Sequence, residues 1–223
     1  MSSKREMTFL LAAPERRLLR AIAGRIPRSI RSNHLTALGV IGAVGAAAGY
    51  GLSTLDARWL WLASAMLAVN WFGDSLDGTL ARVRKAERPK YGYYVDHVAD
   101  AFTTAVIGIG IGLSPYVSLE SALLLVILYL TLSINVYLES AVFGVFRMAY
   151  GRLGPTEVRI LLILANTALV AGATLLNVLN GAVLLFANTT VALVTATMLA
   201  LLAVRFAKNL HRLARMEPQL RPR

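Results

Sequence analysis

The sequence predicts an all-α, polytopic membrane protein with six transmembrane helices and an N-terminal amphipathic surface helix. Three observations carry that expectation. Of 223 residues, 57% are hydrophobic and 16% are charged, whereas a soluble domain is about a quarter charged. The charges are unbalanced, 23 Lys and Arg against 12 Asp and Glu, for a net charge of +11. Finally, stretches of roughly 20 apolar residues, the length that crosses a bilayer, recur six times. A nucleic-acid-binding protein would explain the basicity but not the apolar bulk. A soluble core protein explains neither. The absence of Cys excludes a disulfide framework, a thiolate metal site and a Cys nucleophile.

Residues 1–33 form a basic segment, with Met1–Ala13 expected as a loosely attached tail. Pro14–Ile26 reads as the amphipathic helix, with Leu18, Leu19, Ile22 and Ile26 on one face and Arg16, Arg17 and Arg20 elsewhere. The segment has neither the apolar core nor the cleavage site of a signal peptide. Spans are expected near 35–53, 59–81, 93–114, 119–146, 157–179 and 183–206, which makes residues 34–208 the six-helix body. Residues 209–223 form a basic tail. Asn33 is expected to cap the first span, and Thr156 the fifth, with Glu157 favouring that helix's N-terminal dipole.

Charge placement orients the chain. With these spans, 22 of the 23 basic residues fall on one side and only Arg58 on the other. Both termini and the loops at 82–92 and 147–156 are therefore expected in the cytoplasm. An even number of crossings agrees with this alternation. The positive charge is then a membrane-facing rim, and no nucleic-acid partner is expected.

Four of the twelve acids, Asp74, Asp77, Asp96 and Asp100, fall inside predicted spans. A carboxylate at mid-membrane costs a few kcal/mol on insertion scales. Asp74 and Asp77 are spaced i, i+3, and Asp96 and Asp100 i, i+4, so each pair projects from one helix face. A short connection makes the two helices antiparallel neighbours, so the faces can meet. Converging carboxylates repel one another unless divalent cations lie between them. An oxygen-only donor set favours hard ions, Mg²⁺ or Mn²⁺, and four carboxylates suit one or two of them. Asp74 lies about 12 Å along the helix from Arg82, which places the acids in the cytoplasmic half of the bilayer. Asn70, one turn before Asp74, is a candidate lining residue.

Residues 74–100 read DSLDGTLARVRKAERPKYGYYVDHVAD. The pattern D-x2-D-G-x2-A-R, followed after a gap by G-x3-D-x3-D, resembles the signature of the CDP-alcohol phosphatidyltransferase family. Asp74, Asp77, Gly78, Ala81, Arg82, Gly92, Asp96 and Asp100 occupy all eight fixed positions. The resemblance implies a transferase of phospholipid synthesis that moves a phosphoalcohol group from a CDP-alcohol to a hydroxyl acceptor and releases CMP. It implies that the four Asp bind the divalent metals and that Asp74, Gly78, Ala81, Arg82 and Gly92 hold the CDP moiety. It also implies Asp100 as general base in the branch that uses CDP-diacylglycerol, and a homodimer.

Two further places bear on the branch. His97, a candidate catalytic residue, gives D-H-V-A-D, similar to a D-H-x2-D in choline and ethanolamine phosphotransferases. Glu139, mid-way along the fourth span, precedes G-P-T-E at 154–157, also similar to that branch. There it would accept the hydroxyl proton of diacylglycerol, or else pair with Arg147 or Asn135. Arg147, Arg152 and Arg159 are candidate members of a basic cluster for a phosphorylated acceptor, and Asn70 and Glu157 are further candidate acceptor or lipid contacts. Asn166, Asn177, Asn180 and Asn188 carry no assigned chemistry. The competing class is a cation- or proton-coupled transporter using the intramembrane aspartates. Such proteins often show broken helices and repeated halves, which are not evident here.

Overall fold

A computed structural model describes residues 11–144 and 154–217, with no side-chain description for 173–180. Arg147 and Arg152, expected in the basic cluster, lie outside the described residues, as do residues 1–10 and 218–223. The described chain is all-helical: α1 (Ala12–Ala23), α2 (Ser32–Leu52), a 3-10 turn (Ala57–Trp59), α3 (Leu60–Val83), α4 (Pro89–Gly112), α5 (Leu119–Phe143), α6 (Pro155–Ala171) and α7 (Ala173–Met216).

Helices α2 to α7 run alternately up and down. Cross-links at both ends fix this. At the far end, Asn166 on α6 donates to the hydroxyls of Tyr50 (3.2 Å) on α2 and Ser64 (3.1 Å) on α3. The backbone N–H of Ser118, which caps α5, donates to Asn188 on α7 (3.0 Å). At the near end, Arg159 on α6 meets α3, and Arg205 on α7 meets Glu139 on α5. Asn166 and Asn188 thus acquire a purpose the sequence did not assign: each satisfies polar groups between helices where water is excluded.

Small residues set the closeness of α2, α3 and α4. A Cβ on Gly42 would fall 2.5 Å from Asn70 N and 2.8 Å from its Cα. A Cβ on Gly73 would fall 2.5 Å from the Leu35 carbonyl oxygen and also on the Gly39 backbone. Only glycine permits the two backbones to touch there. Gly73 immediately precedes Asp74, so this crossing is what places the first acid.

Among the described residues, three helices are long and apolar enough to cross a membrane: α2, α5 and the Gly181–Met216 part of α7. The expected six spans are not all recovered on that criterion. Helices α3 and α4 each carry two aspartates, and α6 has 17 residues. The first four expected spans match helices to within a few residues. The last two differ: the break falls at Gly172, and helix continues through Asn177, Asn180 and Gly181, a polar stretch that reads as a loop.

The N-terminal region also differs from expectation. Ala12 and Ala13 belong to α1, and Ala12 is buried. The packed face is Leu19 and Ala23, with Ile22 and Ile26 beside it, against Leu35, Leu76 and Leu80. Leu18 is 51% exposed, 100° of helical rotation away from Leu19. Arg84 fastens the segment that follows α1, donating to the carbonyls of Ile26 (2.9 Å), Pro27 (2.9 Å) and Ile30 (2.5 Å). Asn33 is not the cap of α2, which begins at Ser32. Its amide donates to the Tyr91 hydroxyl (2.9 Å) and accepts from Arg88 (3.3 Å).

Candidate active site

The site lies between the C-terminal part of α3 and the N-terminal part of α4, both of which pack on α2. Arg84 and the positive-φ Lys85 (φ 53°) close α3, with Ala86 N donating to the Ala81 carbonyl (3.0 Å). The chain then re-enters at Pro89, whose fixed φ and missing N–H suit a first helical turn. This return sets Asp96 and Asp100 opposite Asp74 across the gap between the two helices.

Asp74, Asp96 and Asp100 each offer a carboxylate oxygen, all within 4.8 Å of one another. The cluster could hold a metal ion. The donor set, carboxylate oxygens with neither Cys nor His, fits a hard divalent cation. Three half-buried carboxylates this close repel strongly without a compensating charge. Asp77 stands beside them within electrostatic reach of Asp74 and Asp96. Its own oxygens are taken from other directions: Thr36 on α2 donates to Oδ2 (2.6 Å), and the Gly78 backbone N–H donates to Oδ1.

One positive group reaches the cluster from α6. Arg159 Nη2 donates to Asp74 Oδ2 (2.9 Å), and its Nε donates to Asn70 Oδ1 (2.8 Å). Nη1 is buried with no hydrogen-bond partner among the described residues. Asn70 is 1% exposed and donates in turn to the Gly39 carbonyl (2.8 Å). It therefore ties α2, α3 and α6 together behind Asp74.

The remaining signature positions divide by their surroundings. A Cβ on Gly78 would meet only the Arg82 guanidinium at 3.4 Å, and a Cβ on Gly92 would meet nothing within 4 Å. Neither glycine is required by packing in this fold, unlike Gly42 and Gly73. Arg82 is exposed, one turn beyond Gly78, and bonds the Thr79 hydroxyl (3.0 Å). Ala81 is half-buried on the same helix.

His97 is buried in an aromatic stack. Its ring centroid is 4.0 Å from that of Tyr93 and 4.6 Å from that of Tyr137 on α5, and its Nδ1 lies 3.4 Å from Asp96 Oδ2. Tyr93, Tyr94, His97, Val98, Ala101 and Tyr137 line a cavity of about 350 Å³, almost wholly apolar, beside the acids.

Glu139 engages α7. It accepts from Asn209 (2.6 Å), Asn135 (2.8 Å) and Arg205 (3.3 Å). Two residues after Tyr137, it leaves α5 about 200° around the helix from the tyrosine that faces His97. Asn135 is the partner foreseen from the sequence. Glu157 is buried and accepts from the backbone N–H groups of Leu11 (2.8 Å) and Gly154 (2.9 Å). Thr156 does not cap α6 but donates to Glu15 on α1 (2.8 Å).

Of the four acids expected to converge, Asp74, Asp96 and Asp100 do so and Asp77 stands beside them; Thr36 and Glu15 were not foreseen, and Arg159, expected in a basic cluster for the acceptor, is found on Asp74. Thr36 and Glu15 gave little signal, being ordinary residues at helix starts. Arg159 gave more, as the only base between Arg152 and Arg205.

No curated protein matches the chain at a significant level. A family model does: residues 30–215 match CDP-alcohol phosphatidyltransferase, a span that contains every described group of the site. Phosphate-containing group transfer in phospholipid synthesis is that family's activity, and the three apolar helices agree with its membrane setting. This chain is an integral membrane protein and belongs to the CDP-alcohol phosphatidyltransferase family.

Proposed function

We propose that the chain joins a hydroxyl acceptor to the phosphoalcohol group of a CDP-alcohol at the cytoplasmic face of the membrane, with release of CMP. The observation that carries this reading is the convergence of Asp74, Asp96 and Asp100 within 4.8 Å, met by Arg159 from a third helix. In this reading α2 to α7 cross the bilayer six times, both termini are cytoplasmic, and α1 lies on the surface. The three spans that fail on composition do so because they carry the site's acids or are short.

Asp74, Asp77, Asp96 and Asp100 would hold Mg²⁺ or Mn²⁺, two ions in this reading. When bound, such ions neutralise diphosphate oxygen charge and so favour departure of CMP. The chain's own groups do the rest. Gly78 and Gly92 leave room for the nucleotide to lie against backbone, Ala81 adds little bulk, and Arg82 reaches a phosphate oxygen. The acceptor oxygen forms its bond to the donor's phosphorus as the bond to CMP breaks. Asp100 takes the acceptor's hydroxyl proton. Asn70 acts by holding Arg159, and Glu139 braces α5 to α7.

One substrate is a lipid. The apolar cavity beside Asp96 opens between α4 and α5 and suits an acyl or glycerolipid body arriving sideways. The donor is either CDP-diacylglycerol or a soluble CDP-aminoalcohol paired with diacylglycerol. Occupation of the second role by Glu139 would need its carboxylate to leave Arg205 and Asn209, so CDP-diacylglycerol is the reading we prefer. Arg147, Arg152 and Glu157 carry no step here.

Purified protein with Mg²⁺ or Mn²⁺ should release CMP from one of these donors, and Asp96→Asn should not. Comparing radiolabelled CDP-diacylglycerol with radiolabelled CDP-choline identifies the donor. Equal behaviour of wild type and Asp96→Asn across both donors would remove the transferase reading. Cation flux in proteoliposomes would then favour the transporter.

A further inference from the structure

We infer that Glu15, on the N-terminal helix, is a positioning residue for the transfer site, acting through a reciprocal latch between α1 and the start of α6. The inference rests on the proposed transfer reaction at that site. It extends to a helix that contributes none of the signature residues.

A single oxygen, Glu15 Oε1, accepts three hydrogen bonds: from Trp71 Nε1 (2.8 Å), Ser75 Oγ (3.1 Å) and Thr156 Oγ1 (2.8 Å). Two donors sit on α3 and one on α6. The return half of the latch runs the other way: Glu157 on α6 accepts from the backbone N–H of Leu11 at the start of α1. Each helix thus gives the other an acid.

The placement of the donors gives the latch its consequence. Ser75 follows Asp74. Thr156 is three residues before Arg159, about 4.5 Å along α6. Glu15 therefore fastens the α3 residue next to Asp74 to the α6 residue one turn from Arg159. It bridges the same gap that Arg159 bridges to Asp74 at 2.9 Å. The other end of α6 is held separately by Asn166, so releasing Glu15 loosens the near end of α6, still tethered by Glu157 and Arg159, relative to a fixed far end. Leu19 and Ala23, packed on Leu76 and Leu80, with Arg84 on the following carbonyls, hold α1 firm enough to act as the anchor.

Glu15→Ala, Glu15→Gln and Thr156→Val would be assayed for CMP release in the full chain. A displacement of about 1 Å costs up to about a hundredfold in rate, so Glu15→Ala should lower kcat by about ten- to a hundredfold. The donor KM should change less than about threefold, since positioning acts on the reacting geometry. Glu15→Gln keeps the carbonyl acceptor and should recover most of that loss, and Thr156→Val should show a smaller loss in the same direction. In an Arg159→Lys background, Glu15→Ala should cost little more. Full additivity with Arg159→Lys, or equal losses for Ala and Gln, would overturn the proposal.

A readout independent of catalysis uses Trp71 as the only tryptophan, after Trp59→Phe and Trp61→Phe. Its emission should shift in Glu15→Ala and not in Glu15→Gln. If no CMP-releasing activity exists, the transfer reading fails while this emission still tests the latch. An unshifted spectrum in Glu15→Ala sinks the latch whatever the activity.

Discussion

Arg159 and Asp74, eighty-five residues apart in sequence, meet at 2.9 Å between α6 and α3. Their contact ties a guanidinium on α6 to the aspartate cluster. Arg159→Ala leaves Asp74 facing two acids without its guanidinium partner. We expect a loss of about 2 kcal/mol in stability, the scale of a charged hydrogen bond left unmade. Arg159→Lys keeps the charge but cannot reach Asn70 and Asp74 together, and should recover only part. Thermal unfolding in detergent checks both.

The cluster's repulsion yields an opposite-signed effect on stability. Without divalent metal, Asp100→Asn should raise Tm, because a mutually repelling carboxylate is removed. With Mg²⁺ or Mn²⁺ the order should reverse, since a ligand that binds the folded state stabilises wild type more. Activity should fall by at least about a hundredfold in the variant and vanish for wild type in EDTA. Tm measured with and without metal, beside CMP release, decides this. A variant that stays the more stable protein in saturating metal would argue against ligation.

The glycines separate into two kinds. Gly73→Ala should destabilise by about 1–3 kcal/mol, as overpacking does, because its Cβ meets the Leu35 carbonyl and the Gly39 backbone. Gly92→Ala should leave Tm unchanged or slightly higher, since its Cβ meets nothing within 4 Å and Ala favours helix. Yet Gly92→Ala should weaken donor binding if the nucleotide lies against that backbone. A Gly92→Ala enzyme with wild-type donor KM would remove Gly92 from the binding surface.

Glu139→Gln tests the brace. Its carboxylate already accepts from Arg205, Asn209 and Asn135. The substitution should cost about 1 kcal/mol, the net value of a typical hydrogen bond, and keep kcat within a fewfold of wild type. A loss of about a hundredfold or more at unchanged Tm would return Glu139 to the reaction as its base.

On the opposite side of the bundle, Asp56 caps the turn at Ala57–Trp59. The Arg58 backbone N–H (2.8 Å) and guanidinium hold its carboxyl below the usual carboxylate range. A depressed folded-state pKa contributes stability above the unfolded value and loses it as pH falls through the folded value. The Tm gap between wild type and Asp56→Ala should therefore be full at neutral pH and close on acidification below about pH 4. A gap that widens on acidification would contradict the cap.

Much of the site was legible before any coordinates. Spacing i, i+3 and i, i+4 puts each acid pair on one face by local helix geometry alone, so Asp74, Asp96 and Asp100 were expected together and are together. The length of the apolar stretches located α2 to α5 within a few residues. Local rules failed where composition mimics a loop, as at Asn180 and Gly181, and where a helix face is chosen by its neighbour. Leu18 and Leu19 are equally apolar, and only the surface offered by Leu76 and Leu80 selects Leu19.

By itself, the sequence determined the helical class, the asymmetry of charge and the chemistry of the acids, because these follow from composition and from a helix's own repeat. Which residues complete those acids was decided by the tertiary structure. Thr36 on Asp77, Arg159 on Asp74, Arg205 on Glu139 and Glu15 on Thr156 each join different helices. Interhelix register sets such pairs, and that register comes from close crossings such as Gly42 and Gly73, which no local spacing rule encodes.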